Sequence, residues 1–428
     1  MKFIQDVASL QASAIIIAII TMITSLIIAK GLKPTAFGIY SLILSLYTLV
    51  GMFGNLGIRE TVLVKLPSAY ISQDKDKIIY ILAYYFKTTL IINILIMASG
   101  YIIAPYLSQL LYGRQDIGRL SRLLFLMPPL IIFYKLVREI LEGTRKMRYL
   151  AVLETTSAFI KSFILVSLVI LGLGLANLIY GWLFSAIISS ILAIFIYRKW
   201  GLVKEGLPSI SEIIKKSCFL DNRHLLRFNL SMGLSENIIN LNENLPIILL
   251  GVFVLPKEVG YFKFGYSIMG VSMLFLDPIA RNLLVKLKEL QTAGDIKTLS
   301  DAFYKVSLYA GIISIILVTF IIILYHFLIY FLLKDYRASL QIIYPLAIYS
   351  CLMGFGIALS PILRALERVD IEIKINAIGL LIFVVLSILL IKNLGILGMS
   401  IALVISGLFT KFIMYLWVKN QLNTLCIK

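Results

Sequence analysis

The chain has 428 residues, 60% of them hydrophobic and 14% charged, with a mean hydropathy of +0.96. A soluble domain carries about 25% charged residues, so a soluble enzyme or nucleic-acid binder is excluded, and at about 20 residues per crossing the apolar content supplies around a dozen spans. Lys+Arg number 40 against 22 Asp+Glu, a net +18 that has to be placed relative to the membrane before it is read as anything else.

Twelve apolar segments follow one another, over 8–29, 38–58, 78–106, 121–141, 150–171, 176–197, 224–252, 259–280, 303–329, 338–362, 371–391 and 396–418. The first follows only Lys2 and Asp6, has no small-residue cleavage site and is long enough to span, so no cleavable signal peptide is expected. Segments five and six meet at the tight uncharged turn Gly172-Leu173-Gly174-Leu175. The longest connection, 198–223, carries Arg198, Lys199, Lys204, Lys215, Lys216 and Arg223. No connection is large enough for a folded soluble domain. Cys218, Cys351 and Cys426 are widely spaced and the histidines are only His224 and His326, so neither a disulfide framework nor a multi-His metal site is expected.

Alternating the sides orients the chain. With the N-terminus inside and cations toward the span ends counted with the adjoining connection, the inner connections hold 28 of the 40 Lys+Arg, the outer ones hold 10, and Lys87 and Lys161 remain within the membrane. Basic loops face the cytoplasm, so both termini are expected on the cytoplasmic side of the cell (plasma or inner) membrane. Much of the net charge is then topology and contact with anionic inner-leaflet lipid.

One offset links the two halves. Pro34-Thr35-Ala36-Phe37-Gly38-Ile39-Tyr40 recurs as Pro256-Lys257-Glu258-Val259-Gly260-Tyr261-Phe262, a shift of 222. At the same shift Asn55 and Arg59 map to Asp277 and Arg281, and Ile140-Leu141 to Ile362-Leu363; Gly172-Leu173-Gly174 falls within a residue of Gly395. Six spans per half keep the halves parallel, related by an axis along the membrane normal with a solute path between them. The expected fold is an all-α polytopic membrane protein of 12 transmembrane helices in two six-helix lobes around a central cavity. Its parts are a lobe over 1–200, a basic cytoplasmic linker over 201–223 and a second lobe over 224–428.

Polar residues inside the spans point to function, because a charge at bilayer depth costs about 2.5–3.5 kcal/mol. In the seventh segment Asn229, Gly233, Glu236, Asn240 and Glu243 share one helical face, widened by Asn237 and Asn244. That stripe reads as a wet cavity wall or as asparagines bonding neighbouring helices. The second segment carries Ser41, Ser45, Thr48, Met52, Asn55 and Arg59 on one face, and the eighth carries Lys263, Ser267, Gly270, Asp277 and Arg281. Arg59 and Arg281 sit near the cytoplasmic mouth, as inner-leaflet anchors or ligand contacts. Lys161 lies about 16 Å into its span at 1.5 Å per residue, beyond full snorkelling reach. It either pairs with a carboxylate such as Glu154 or faces water. Lys87 lies about nine residues into its own span, beside Tyr84 and Tyr85. Glu236, Glu243 and Asp277 are candidate H+ or Na+ coupling groups, since desolvation raises a carboxyl pKa, or else they neutralise the cavity lysines.

The loop Ala29-Lys30-Gly31-Leu32-Lys33-Pro34-Thr35-Ala36-Phe37-Gly38-Ile39-Tyr40-Ser41-Leu42 resembles the polysaccharide-biosynthesis, O-antigen flippase-like (polysaccharide transport) family of the multidrug/oligosaccharidyl-lipid/polysaccharide exporter superfamily. Asn55-Leu56-Gly57-Ile58, Leu245 to Gly251 and Leu390 to Ala402 extend the resemblance over nearly the whole chain. It implies two six-helix lobes moving a lipid-pyrophosphate-linked sugar from the inner to the outer leaflet by alternating access. Arg59, Lys87, Lys161, Lys263 and Arg281 would serve the pyrophosphate, and Asn229, Asn237, Asn240 and Asn244 the sugar hydroxyls. Two departures stand out. Lys33 replaces the family's glycine before Pro34, and Glu236, Glu243 and Asp277 fall where a cationic cavity is expected.

The expectation is therefore a non-enzymatic flippase for a lipid-linked oligosaccharide in cell-surface polysaccharide synthesis. Its partners are the lipid-linked glycan, the bilayer and glycan-assembly enzymes, with no nucleic acid, and it has no cofactor beyond a coupling H+ or Na+. The alternative is a cation-coupled multidrug exporter of the same superfamily. A membrane-embedded polymerase or ligase would need catalytic groups on a sizeable outer loop, and no Walker A motif is present for ATP hydrolysis.

Overall fold

The structure, a computed structural model, describes residues 2–54, 57–200, 206–218 and 244–427. Among these, every regular element is a helix. Seven helices are long and apolar enough to cross a membrane, eight if a bent pair over 115–143 counts as one. Two of the seven each contain two spans. Helix α1 (Lys2–Gly51) breaks at Lys33, and the last helix (Val369–Ile427) breaks at Gly395, where φ is 56° and ψ −133°. With a more polar helix over Pro256–Thr292 and the seventh segment, described only from 244, the chain accommodates twelve spans.

Contacts divide the chain into two units, residues 1–32 with 40–248 and residues 33–39 with 249–428. In the first unit, α2 (Ile58–Ile71) is followed by α3 (Lys75–Tyr112), whose first turn is capped by Asp74 accepting the Lys77 N–H at 3.1 Å. The expected uniform face running from Ser41 to Arg59 does not form. α1 stops at Gly51, a short 3₁₀ turn covers Met52–Gly54, and Gly57 (φ 71°) restarts the chain in α2, because only glycine enters that left-handed backbone readily.

The fourth segment is not a straight span either. It runs as α4 (Gln115–Leu124), α5 (Met127–Leu130) and α6 (Ile132–Gly143), with a 46° bend between α4–α5 and α6. Pro128 and Pro129 donate no N–H to the helix, and in lipid the carbonyls at the α5–α6 break must find other donors. Neighbouring helices supply them: Asn93 of α3 donates to the Pro128 carbonyl at 2.8 Å, and Ser190 to the Leu130 carbonyl at 2.6 Å. Helices α7 (Met147–Ile170) and α8 (Gly174–Lys199) then form a tight antiparallel pair around the predicted turn. The unit's core gathers Leu82, Tyr84, Leu136, Ile140, Leu141, Leu153 and Tyr197.

A short amphipathic helix, α9 (Ile210–Cys218), closes the end of this unit. Ser209 and Glu212 cap it reciprocally: the Glu212 carboxylate accepts the Ser209 N–H at 2.7 Å, and Ser209 Oγ accepts the Glu212 N–H at 3.3 Å. Tyr197 Oη donates to the Pro208 carbonyl at 2.7 Å, Ile213 is buried, and Lys215 and Lys216 stay exposed.

In the second unit α10 (Asn244–Phe253) leads into α11 (Pro256–Thr292) and α12 (Ile296–Phe327). Asp295 caps α12 through the Thr298 N–H at 3.0 Å. Hydrogen bonds from Lys77 and from Thr298 hold the Asp74 and Asp295 carboxyls below the usual carboxylate range. The chain continues through a π turn (Leu328–Leu332), a 3₁₀ turn (Lys334–Ser339), α13 (Leu340–Phe355), α14 (Leu359–Ala365) and α15 (Val369–Ile427). Like the fourth segment, the tenth is interrupted, here between Phe355 and Leu359.

The repeat read from the sequence is visible in backbone detail. Ile140-Leu141 and Ile362-Leu363 are all fully buried, and 222 residues separate the positive-φ positions Arg145 (56°) and Glu367 (61°) that follow them. The two Pro-x-x-x-Gly segments meet within the second unit. A Cβ on Gly38 would overlap the Pro256 carbonyl oxygen, and one on Gly260 would overlap the Pro34 carbonyl oxygen. Such an approach requires glycine on both sides. Phe37 anchors the crossing in an aromatic cluster, 6.2 Å from Tyr336, which also packs on Phe264 at 4.7 Å and Tyr261 at 6.1 Å.

Candidate functional site

The first unit buries charge in two places. At the junction of α2, α6 and α7, Arg59 Nη2 donates to Glu142 at 2.8 Å, and its Nε lies 3.2 Å from Glu139. Arg138 completes the network, with Nη1 3.0 Å from Glu139 and Nε 2.7 Å from Glu154. Glu139 is the most buried member, with its side chain 3% exposed. A buried carboxylate between two guanidiniums is held by charge-assisted hydrogen bonds. Arg59, read from the sequence as a mouth cation, has its charge met by two glutamates. Arg138, Glu139 and Glu142 escape a reading based on span depth, because they lie where α6 nears its end and their pairing is tertiary.

Deeper in the unit stands Lys161. It is the fifteenth residue of α7, about 21 Å from the helix start at 1.5 Å per residue. Its ammonium does not reach Glu154, which belongs to Arg138. Instead Nζ sits over the indole of Trp182, 3.3 Å from the ring centroid. Trp182 Nε1 donates in turn to the buried Tyr40 Oη at 2.8 Å. Among the described residues Lys161 makes no ion pair. A desolvated cation–π contact is worth about 2 kcal/mol, which offsets most of the roughly 2.5–3.5 kcal/mol cost of a charge at depth without neutralising it.

Hydroxyls pair along α7. Thr155 shares a 2.8 Å hydrogen bond with Ser13 of α1, and Ser157 shares one of 2.7 Å with Ser189 of α8. Ser41 and Ser45, read as cavity lining, are buried, and Ser45 donates to the Leu42 carbonyl of its own helix at 2.9 Å. Thr48 does the same with Leu44 at 2.9 Å. Lys87 is half-buried on α3, directly after buried Tyr84, Tyr85 and Phe86.

In the second unit Lys263 is half-buried on α11. Asp277 and Arg281 lie on the same helix, with side chains outside the described set. Asn244 begins α10 and is half-buried, whereas Asn229, Glu236, Asn237, Asn240 and Glu243 lie outside the described residues. This unit also holds a charged group that the sequence reading passed over. Buried Glu372 bonds Ser360 and Arg364, the latter at 3.1 Å, with Lys411 in electrostatic reach and its stem lying against Gly356. A lysine inside the last apolar segment was the available signal.

Residues 3–285 match the family of polysaccharide biosynthesis proteins. No curated protein matches the chain. Among solved structures, an inward-facing multidrug resistance MATE family transporter of the MOP superfamily is 17% identical, with 98% of this chain and 96% of that chain covered and a TM-score of 0.74. An outward-facing transporter of that description is 16% identical, with 99% and 96% covered and a TM-score of 0.67. A MATE protein in complex with MaL6 is 15% identical, with 99% and 97% covered and a TM-score of 0.68. At such identities the likeness establishes the fold. The chain belongs to the family of polysaccharide biosynthesis proteins, and its fold is that of these multidrug resistance MATE family transporters.

Proposed function

We propose that the protein is a flippase that moves a lipid-(pyro)phosphate-linked oligosaccharide from the cytoplasmic to the outer leaflet of the cell membrane, with both termini cytoplasmic. The observation that carries this reading is Lys161, a cation about mid-span whose partner is a neutral indole rather than a carboxylate. Such a site attracts an anionic phosphate and repels an organic cation. Trp182 fixes the ammonium without cancelling its charge, so the attraction remains available to a passing headgroup. The hydroxyls of Ser13, Thr155, Ser157 and Ser189 suit a sugar, and the lipid tail can stay in the bilayer during transfer. Glu236, Glu243 and Asp277 are the groups we assign to coupling by H+ or Na+. Glycan-assembly enzymes would supply the cargo and consume it.

The test is made in cells that depend on this protein for surface glycan. Lys161→Ala accumulates lipid-linked glycan on the inner leaflet and leaves sensitivity to cationic dyes unchanged. Unchanged glycan export together with dye hypersensitivity would instead identify a multidrug-cation exporter.

A further inference from the structure

An indole carries a single polar group, the Nε1–H donor, and no acceptor. Its ring has a negative face and a positive edge, so a neighbouring ammonium is attracted or repelled according to how the ring is turned. The N–H edge is the most repulsive side. Lys161 Nζ lies over the face of Trp182, 3.3 Å from the centroid, while Nε1–H is directed to Tyr40 Oη at 2.8 Å. The tyrosine hydroxyl therefore draws the positive edge away from the lysine and leaves the negative face beneath it. Packing does not fix that orientation by itself. Trp182 is only half-buried, and the torsion that turns an aromatic ring has broad, two-fold wells.

The reference point comes from a third helix. Tyr40 is 6% exposed on the part of α1 that follows Pro34, and Leu42, Ile43 and Leu46 beyond it are buried as well. A polar group on so enclosed a helix holds its partner to one geometry. Hydroxyls nearer to Lys161 along α7 are paired elsewhere, Ser157 with Ser189 and Thr155 with Ser13. We propose that Tyr40 is the positioning residue of the Lys161 site: by accepting the Trp182 N–H it keeps the indole face under the ammonium and so holds that cation where an anionic headgroup can meet it. Tyr40 acts through Trp182 and not on the cargo. For its consequence in transport the proposal rests on the flippase reading; for the orientation of the ring it does not.

Two measurements on the full-length chain test it. In the first, Trp200→Phe and Trp417→Phe leave Trp182 as the one tryptophan of the three, and its emission is recorded. Tyr40→Phe deletes the acceptor but keeps the buried ring, and should shift that emission to shorter wavelength. Lys161→Met should change the emission when Tyr40 is present and leave it unchanged once Tyr40→Phe has released the indole. In the second, flipping of a fluorescent polyprenyl-pyrophosphate glycan in liposomes should slow roughly fivefold in Tyr40→Phe. The same change should slow it no further in Lys161→Met, or in Trp182→Phe, whose ring has no N–H to turn. Trp182→Phe alone should keep most of the rate. Thermal unfolding verifies that each variant is folded. An emission response to Lys161→Met that is the same with and without Tyr40→Phe overturns the proposal, whether or not wild type moves the probe. Equal slowing by Tyr40→Phe in all backgrounds, the mark of a merely structural tyrosine, overturns it too. A wild type that does not move the probe removes the flippase reading, and the emission cycle still decides the role of Tyr40.

Discussion

Lys33 holds φ at 61° and ψ at 167°, a backbone region that is open to glycine and strained for any residue with a Cβ, at a cost of about 1–3 kcal/mol. It does so because Pro34 begins the next span and cannot continue the helix before it. The family pattern has glycine there, so Lys33→Gly should stabilise the protein by about 1 kcal/mol after the added freedom of the unfolded chain is counted. Thermal unfolding of the purified protein would register this as a higher midpoint. Glu139 sits at the opposite extreme, a residue whose removal leaves Arg59 and Arg138 facing each other. Breaking a buried ion pair costs about 3–5 kcal/mol, and Glu139→Ala is expected to lower stability by about 3 kcal/mol, with Glu139→Gln in between. An unchanged midpoint for Glu139→Ala would mean that the network contributes nothing to the fold. Lys161 was legible as unusual because a single charge interrupts an apolar run. Its partner was not legible, since Trp182 reaches it from α8, held in turn by Tyr40 of α1, and no local spacing links the three.

At the level of elements, the crossing of the two Pro-x-x-x-Gly segments sets the strictest steric limit. Gly38→Ala and Gly260→Ala should each destabilise the protein. Because each alone already forces the backbones apart, the double variant should cost less than the sum, by about 0.5 kcal/mol or more. Additive losses would show that the two glycines act independently. The repeat was readable here because proline and glycine mark backbone requirements that survive changes of side chain, and the positive-φ pair Arg145 and Glu367 shows the same offset without any sequence likeness. The breaks in the fourth and tenth segments were harder to see. Pro128 and Pro129 were visible in the sequence, but whether they kink a span depends on Asn93 and Ser190, which are tertiary partners. The face drawn from Ser41 to Arg59 failed for a related reason: helical periodicity was carried across Gly51, Gly54 and Gly57, where the chain leaves the helix.

Across the whole molecule, composition sufficed for the membrane class and the basic excess for a proposed orientation, because both are sums that tolerate local error. Function rests on far fewer residues. The surplus of 18 positive charges belongs mostly to basic loops; Arg59 and Arg138 are met by three glutamates, and one deep lysine sits on an indole. Among the described residues Lys161 makes no ion pair, and the account stands or falls on it. Reconstitution into liposomes, with a fluorescent polyprenyl-pyrophosphate glycan whose outer-leaflet fraction is read by a membrane-impermeant quencher, measures this directly. The account predicts that wild type flips the probe, that Lys161→Met slows flipping roughly tenfold or more, the loss of one charge-assisted contact, that Lys161→Arg keeps most of the rate, and that a cationic dye is not transported. Wild-type flipping by Lys161→Met, or dye transport without glycan flipping, would contradict it.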